Sequence, residues 1–324
     1  AILRILPEKE DRKAVRRVLW LHDYVINGQE DPAQYEGKTF LVSGATSQIG
    51  ICTVGRLLAG GARVIAVQYK NKAYFNHPNL QWIDADFQKG QLELGMETPE
   101  ALIHAGPLWL LPSVLSSIFN ARVKRIIAFG STSVFTKIYS ANQKEQDVVK
   151  RLEDAELEIA ERCRKSAVNF TILRPTMVYG VGLDENVTMI AEFAKRYHFF
   201  PIYPPAKGRR QPVHADDMAQ MALKILDNAK TFNKSYNIGG NEVITYQAMV
   251  ERIFYALGQT PRIVKVKDLP RVLDFVGKYI FSGRINGEMA RRMNEDLLFL
   301  ESESRRDFTF KPRAFLTNGP RDLG

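Results

Sequence analysis

The octapeptide Ser43-Gly44-Ala45-Thr46-Ser47-Gln48-Ile49-Gly50 constrains this chain more than any other stretch. It follows a short β-prone run, Thr39-Phe40-Leu41-Val42, and leads into a helical pattern that continues through Leu58, where Gly60-Gly61 stops it. A strand that turns directly into a helix leaves free backbone amides at the helix start, and the helix dipole favours an anion there. Gly44 permits the tight turn without a Cβ clash, and Gly50 lets the helix lie close to the strand. The order of strand, turn and helix therefore predicts a dinucleotide cradle built from Gly44, Thr46, Ser47, Gln48, Ile49 and Gly50. A tight turn that holds nothing is the plainer alternative.

The rest of the chain agrees with that beginning. Further β-prone runs occur at Arg63 to Tyr69, Leu80 to Ile83, Ala101 to His104, Arg125 to Phe129 and Phe170 to Leu173, with helical patterns between them. Such alternation predicts an α/β protein with a doubly wound parallel sheet, its right-handed crossovers placing helices on both faces. Three regions are expected. Residues 1–37 form an N-terminal helical extension, and residues 38–180 form the dinucleotide domain, joined later by a strand near 235–238. Residues 181–324 form a smaller C-terminal substrate lobe.

The 324 residues, 45% hydrophobic and 25% charged, suit one large domain or two intimate lobes and exclude general disorder. The net charge of +9 comes from scattered basic residues with no aromatic-basic ribbon, which argues against nucleic acid. Cys52 and Cys163 each lie in an apolar helical pattern and read as buried thiols, with no metal site implied. No apolar run approaches the roughly 20 residues that span a bilayer, and Ala1 to Arg17 lack a signal-peptide pattern. These features predict a reducing, cytoplasmic setting. Val15, Val18, Leu19 and Val25 recur at near-helical spacing among Arg12, Lys13, Arg16 and Arg17. That helix packs on the domain or a partner, or else lies as a peripheral foot on the inner face of a membrane.

Beyond the octapeptide, the motifs resemble the extended short-chain dehydrogenase/reductase superfamily, in particular its NAD-dependent epimerase/dehydratase family and the nucleotide-sugar epimerases. The resemblance implies a Rossmann-like fold and covers about residues 38–315. The family's turn reads Gly-x-x-Gly-x-x-Gly, and Ser47 replaces the middle glycine here. At the end of the second strand, Val67-Gln68-Tyr69-Lys70 lacks the acid that takes the ribose hydroxyls of NAD. Lys70 and Lys72 could meet a 2′-phosphate, so the cofactor expectation is NAD or NADP with a lean to NADP. Asp86 matches the acid beside the adenine, and Ala105 and Gly106 match the fourth strand's end; Gln68 and Pro175 join the implied cofactor contacts.

Ser131 falls where the family keeps its catalytic hydroxyl, followed by Thr132 and Ser133; Phe135 replaces the usual tyrosine. Ile172-Leu173-Arg174-Pro175-Thr176-Met177-Val178-Tyr179-Gly180 is the most specific match. Arg210 and Arg292 resemble the family's phosphate-binding arginines, and two forked guanidiniums suit a diphosphate. The implied partner is a nucleotide sugar or a polyprenyl-diphosphate sugar, with Ser133, Tyr179, Arg210 and Arg292 on the substrate side. A homodimer is a further implication of the family.

One part of the pattern is missing. The family's hydride chemistry needs Tyr-x-x-x-Lys on one helical face, the tyrosine as acid/base and the lysine lowering its pKa. Between Ser131 and Arg174 there is none. Counting back from Leu173-Arg174-Pro175, the helix is about Gln146 to Cys163, and Val148 and Leu152 take the two positions in a stripe with Ala155, Ile159 and Cys163. Candidate replacements are Ser131, Thr132, Lys137 and Tyr139. Two functions follow as expectations: an NAD(P)-dependent epimerase or oxidoreductase with a rearranged acid/base, or a cofactor-binding scaffold or sensor without turnover.

Overall fold

The computed structural model describes residues 9–28, 30–73, 75–279 and 286–323; residues 1–8 of the expected N-terminal region lie outside them. The strands are β1 (Thr39–Ser43), β2 (Arg63–Gln68), β3 (Leu80–Asp84), β4 (Ala101–His104), β5 (Arg125–Phe129), β6 (Asn169–Pro175), β7 (Val178–Tyr179), β8 (Phe200–Ile202), β9 (Arg209–Arg210), β10 (Val213–His214), β11 (Lys234–Ile238), β12 (Ile244–Thr245) and β13 (Ile263–Lys265). The helices are α1 (Lys9–Asn27), α2 (Gln48–Ala59), α3 (Leu115–Asn120), α4 (Ser133–Thr136), α5 (Gln143–Lys165), α6 (Val187–Tyr197), α7 (Ala215–Lys224), α8 (Tyr246–Ala256), α9 (Leu269–Tyr279), α10 (Gly287–Arg291) and α11 (Ser302–Asp307).

Seven strands make one sheet in the order β11-β6-β5-β4-β1-β2-β3, every pair parallel. The six early strands stand where the sequence predicts them, and the late one joins the far edge beside β6. The winding reverses between β1 and β4, which sit side by side with Ser43 opposite His104. Loops leaving the two strands part there and open a crevice at their C-terminal ends, the place where doubly wound sheets bind ligands.

Each sheet face carries its own core. On one, β1 and β2 pack under α1, α2 and α7 through Val42, Val54, Leu57 and Met218. On the other, α3 and α5 cover Leu102, Ile126 and Phe170 through Leu115, Leu152, Ile159 and Cys163. A third cluster, with Ile190, Ile202, Ile253 and Phe254, holds the lobe of α6, β8 and α8 together.

The N-terminal helix is part of this packing. Leu21 is fully buried, and Trp20, Tyr24 and Val25 rest on the first core. Tyr24 lies across Gly55 so closely that a Cβ there would meet its ring at 2.7 Å. Of the residues that the sequence pattern singled out, Val25 rests on this core and Leu19 is 51% exposed; Trp20, Leu21 and Tyr24 carry the packing against α2. Among the described residues no helix is long and apolar enough to cross a membrane.

Candidate functional site

The crevice beside β1 is a cavity of about 370 Å³. Gly44, Thr46, Ser47, Gln68, Lys70, Asp86, Ala105 and Gly106 line it, and all eight belong to the set read from the sequence. Gly44 has φ +65°, and a Cβ on it would meet the Gly106 amide nitrogen at 2.3 Å. A Cβ on Gly50 would meet the Gly44 carbonyl oxygen at 2.1 Å. Both glycines are thus fixed by close backbone approach, which brings the helix start against the strand end.

Ser47, in the middle-glycine position, is the N-cap of α2: its hydroxyl accepts from the Gly50 amide at 3.0 Å. The side chain is turned back onto its own helix, where it satisfies one of the open amides. Gln48 and Ile49 occupy the first turn, whose amides have no intrahelical acceptor. Gly44, Ser47 and this helix start offer the open amides that would hold a pyrophosphate, and Gln68, Lys70 and Asp86 line the same cavity. Such a cofactor would supply hydride transfer; the chain's contribution there is binding and orientation.

Several side chains tune the cavity. Asp86 caps a short turn by accepting from the Gln88 amide at 3.0 Å, and the Tyr69 hydroxyl donates to it, which raises the Tyr69 pKa. Lys70 lies over the Tyr69 ring at 5.5 Å. Lys72, the other lysine of interest, pairs with Asp84 instead. His104 is 1% exposed, and burial pulls its pKa down to about 4. It is therefore neutral. The Pro107 carbonyl, 3.2 Å from Nε2, can only accept, so Nε2 carries the proton and Nδ1 accepts from the Ser43 hydroxyl at 2.8 Å. That pair ties β1 to β4 at the mouth of the crevice, a structural role.

One neighbour of the cavity leaves no motif in the sequence. Arg17, on α1 and 5% exposed, donates from Nε to the Thr46 carbonyl at 2.8 Å and from a terminal nitrogen to the Lys72 carbonyl at 3.4 Å. Tyr24 of the same helix donates to Asp216, whose carboxylate also takes a forked pair from Arg56. Burial opposes charge on Asp216, but Arg56, Tyr24 and Arg313 outweigh it and hold the carboxyl at about 2. The extension is thus bonded to the phosphate turn and to the salt-bridge network behind it.

A second cavity, about 360 Å³, lies between the ends of β5 and β6 and the lobe. Ser131, Thr132, Ser133, Lys137, Arg210 and Arg292 line it, as the sequence grouped them. The Ser131 and Ser133 hydroxyls are 2.6 Å apart, and Thr132 donates to the Pro175 carbonyl at 3.2 Å. Pro175 closes β6 and does not line either cavity. Two tyrosines from the sequence set stand elsewhere. Tyr139 is 88% exposed on a short turn. Tyr179 is fully buried, its hydroxyl donating to the Ala314 carbonyl at 3.3 Å and accepting from the Leu316 amide at 3.1 Å.

The cations of this cavity already have partners. Arg292 makes a forked pair with Glu145 at 2.7 and 2.8 Å, and Lys137 lies 3.8 Å from the same carboxylate. Burial opposes the Glu145 charge, yet Arg292, Ser140 and Lys137 keep its pKa below the ordinary range. Lys137 is pushed down chiefly by burial and further by Arg292, with Glu145 resisting. Arg210, 3% exposed, donates to the backbone carbonyls of Arg209, Glu295 and Arg292. A diphosphate entering here would compete with Glu145 for Arg292 and with the three carbonyls for Arg210. Glu145 and Arg292 are 147 residues apart, and no local pattern announces the pair.

The register counted from the sequence places Val148 and Leu152 at the acid/base positions of α5. Leu152 is 4% exposed in the core, and Val148 packs half-buried against the same cluster. Neither can move a proton.

Comparison with known proteins agrees with the geometry. The profile of the NAD dependent epimerase/dehydratase family matches residues 95–239. An epimerase from Methanothermobacter thermautotrophicus superposes with TM-score 0.70, covering 94% of each chain at 14% identity. The dTDP-glucose 4,6-dehydratase of Bacillus anthracis in complex with NAD gives 0.67, covering 89% of this chain and 96% of the other at 14% identity. The family match over residues 95–239 and the seven-stranded parallel sheet make the chain similar to the NAD dependent epimerase/dehydratase family, with the Rossmann-like fold of those solved structures. Among curated proteins it is 30% identical over 97 residues to the Arabidopsis thaliana mitochondrial NADH dehydrogenase [ubiquinone] 1 alpha subcomplex subunit 9. That match takes in 30% of this chain and 24%, about a quarter, of the relative.

Proposed function

We propose that this chain binds a nicotinamide dinucleotide as a scaffold or sensor subunit and does not run the hydride shuttle of the epimerases. One observation carries the reading: the helical face that would present the acid and base has become hydrophobic core at Leu152. The other end of the site keeps what cofactor binding requires, namely the cradle of Gly44 and Gly50 and the cavity beside it. NADP is the expected form, since the second strand ends without an acid and Lys70 lines the cavity. The similarity to a subunit named within NADH dehydrogenase supports a role inside a larger assembly.

A second reading stays in play on the strength of Ser131, Ser133 and Lys137 meeting in one cavity. An epimerase or oxidoreductase acting on a nucleotide sugar or a polyprenyl-diphosphate sugar would have to use Lys137 as its proton carrier. Titration of the full chain with NADPH and NADH, followed by nicotinamide fluorescence and thermal unfolding, separates the two. The expected result is saturable binding, with unfolding raised by a few degrees at about a hundred times Kd, and no turnover of UDP-glucose. Turnover that disappears in Ser131→Ala would overturn the scaffold reading.

A further inference from the structure

The second cavity has an unusual wall. Five of the chain's eight methionines line it: Met177, Met189, Met249, Met289 and Met293. Phe193, Phe200, Phe299, Leu269 and Leu273 complete the apolar part. These residues come from α6, β8, α8, α9 and α10 and from the segments after β6 and α10, so several separate elements turn apolar side chains toward one space. Methionine is flexible and polarizable and adapts to irregular apolar bodies. A hexose, with hydroxyls around its ring, would find few partners on such a wall and would pay desolvation for each one left unpaired.

The polar side chains of the lining are those of the segment from Ser131 to Lys137 and, beyond it, Thr176, Asn186, Arg210, Gln211, Tyr246 and Arg292; of these Thr176 donates to the Gln211 carbonyl and Gln211 to the Gly240 carbonyl. Ser131 and Ser133 hold each other at 2.6 Å and can turn a hydroxyl to an incoming oxygen, and the Lys137 ammonium stands in the same lining. The two guanidiniums are partly engaged, since Arg292 gives two N–H groups to Glu145 and Arg210 gives three of its five to backbone carbonyls, which leaves fewer donors for a diphosphate. On the lobe side the rim helix α9 turns Leu269 and Leu273 inward, while Val272 and Phe275 on its outer side are 47% and 65% exposed. An apolar approach surface thus adjoins an apolar chamber.

We infer that this cavity takes a neutral amphiphile: an isoprenoid, acyl or aromatic body lodged among the methionines, with a ketone or alcohol oxygen at Ser131, Ser133 and Lys137. A volume of about 360 Å³ is within the range of pockets that enclose small organic ligands. The inference concerns the second cavity and does not require the dinucleotide to be present.

The test is calorimetric titration of the full chain with geranylacetone as the neutral ketone, geranic acid as its anionic counterpart, and UDP-glucose. The ketone is expected to bind saturably at one site, the acid no more tightly, and the sugar nucleotide not at all. Met289→Glu, on the half-buried wall, should weaken the ketone by about tenfold or more, because a carboxylate replaces apolar surface, whereas Met289→Leu should preserve binding. Met189→Gln on α6 gives an independent check if the first variant misfolds. UDP-glucose binding without ketone binding, or an acid bound more than about tenfold tighter than the ketone, would overturn the proposal. NADPH titrated into the same samples reports the other cavity. Ketone binding without NADPH binding would sink the cofactor reading alone, and the converse would sink this one alone.

Discussion

The two cavities open on the same edge of one sheet and are made from different material. The cofactor-side cavity is shaped by backbone: Gly44 against Gly106, Gly50 against the Gly44 carbonyl, and the first turn of α2. The second is shaped by side chains that the lobe sends toward β5 and β6. A backbone-built site survives the exchange of one residue, as Ser47 shows by folding its hydroxyl onto the Gly50 amide. A side-chain site has no such reserve. Apolar residues at positions 148 and 152 carry no group that can move a proton, while helix, strand and serine stay in place.

That contrast can be broken most forcefully at Leu152. If α5 has truly given the position to the core, Leu152→Lys should cost about 4 kcal/mol of stability, because an unpaired ammonium is buried among Ala155, Ile159 and Phe170. Val148→Tyr, at a half-buried position, should cost less than about 1 kcal/mol. Urea unfolding read by circular dichroism gives both numbers. A double variant that folds as well as the parent and oxidises a substrate would mean that the site is only dormant.

His104 sharpens the comparison from the cofactor side. Its pKa of about 4 in the fold lies below that of a free imidazole, so the unfolded chain takes up a proton that the native state refuses. The stability it contributes is complete above about pH 6.5 and is lost as pH falls toward about 4, amounting to roughly 3 kcal/mol at most. His104→Gln should flatten that part of the profile, measured as the urea midpoint between about pH 7 and about pH 5. An unchanged slope would mean that water reaches the ring and that the tie between Ser43 and His104 is looser than the 2.8 Å contact implies.

What could be read from the sequence follows the same division. The cradle, the strand positions around it and the missing acid/base pair are written locally, in glycine positions, β-prone runs and the 3.6-residue stripe of Leu152, Ala155, Ile159 and Cys163. The neutralisation of Arg292 by Glu145 could not be read, because a salt bridge across 147 residues leaves no periodic trace. The same holds for the methionine wall, whose members come from four separate stretches of chain. The extension illustrates a third case. Its amphipathic pattern was visible, but a stripe of Val15, Val18, Leu19 and Val25 fits a membrane surface as well as a neighbouring helix. Only the notch at Gly55, which accepts the Tyr24 ring, decides between them.

The smallest effect expected is also the one that joins the extension to the site. Arg17 spans from α1 to the Thr46 carbonyl at the turn and to the Lys72 carbonyl beyond β2, in the two loops that flank the crevice. Replacing it by methionine keeps the buried stem and removes the donors, so that a hydrogen bond worth about 1 kcal/mol is lost on each well-aligned contact. Arg17→Met should therefore weaken NADPH by about three- to tenfold and speed hydrogen exchange at the Thr46 to Gly50 amides, with little change in overall unfolding. Faster exchange with unchanged affinity would confine Arg17 to holding the turn. Unchanged exchange with weaker NADPH would mean that the guanidinium acts through its charge on the bound nucleotide. No change in either measurement would separate α1 from the cofactor cavity altogether, and the extension would then matter only for the packing of Leu21 and Tyr24 on α2.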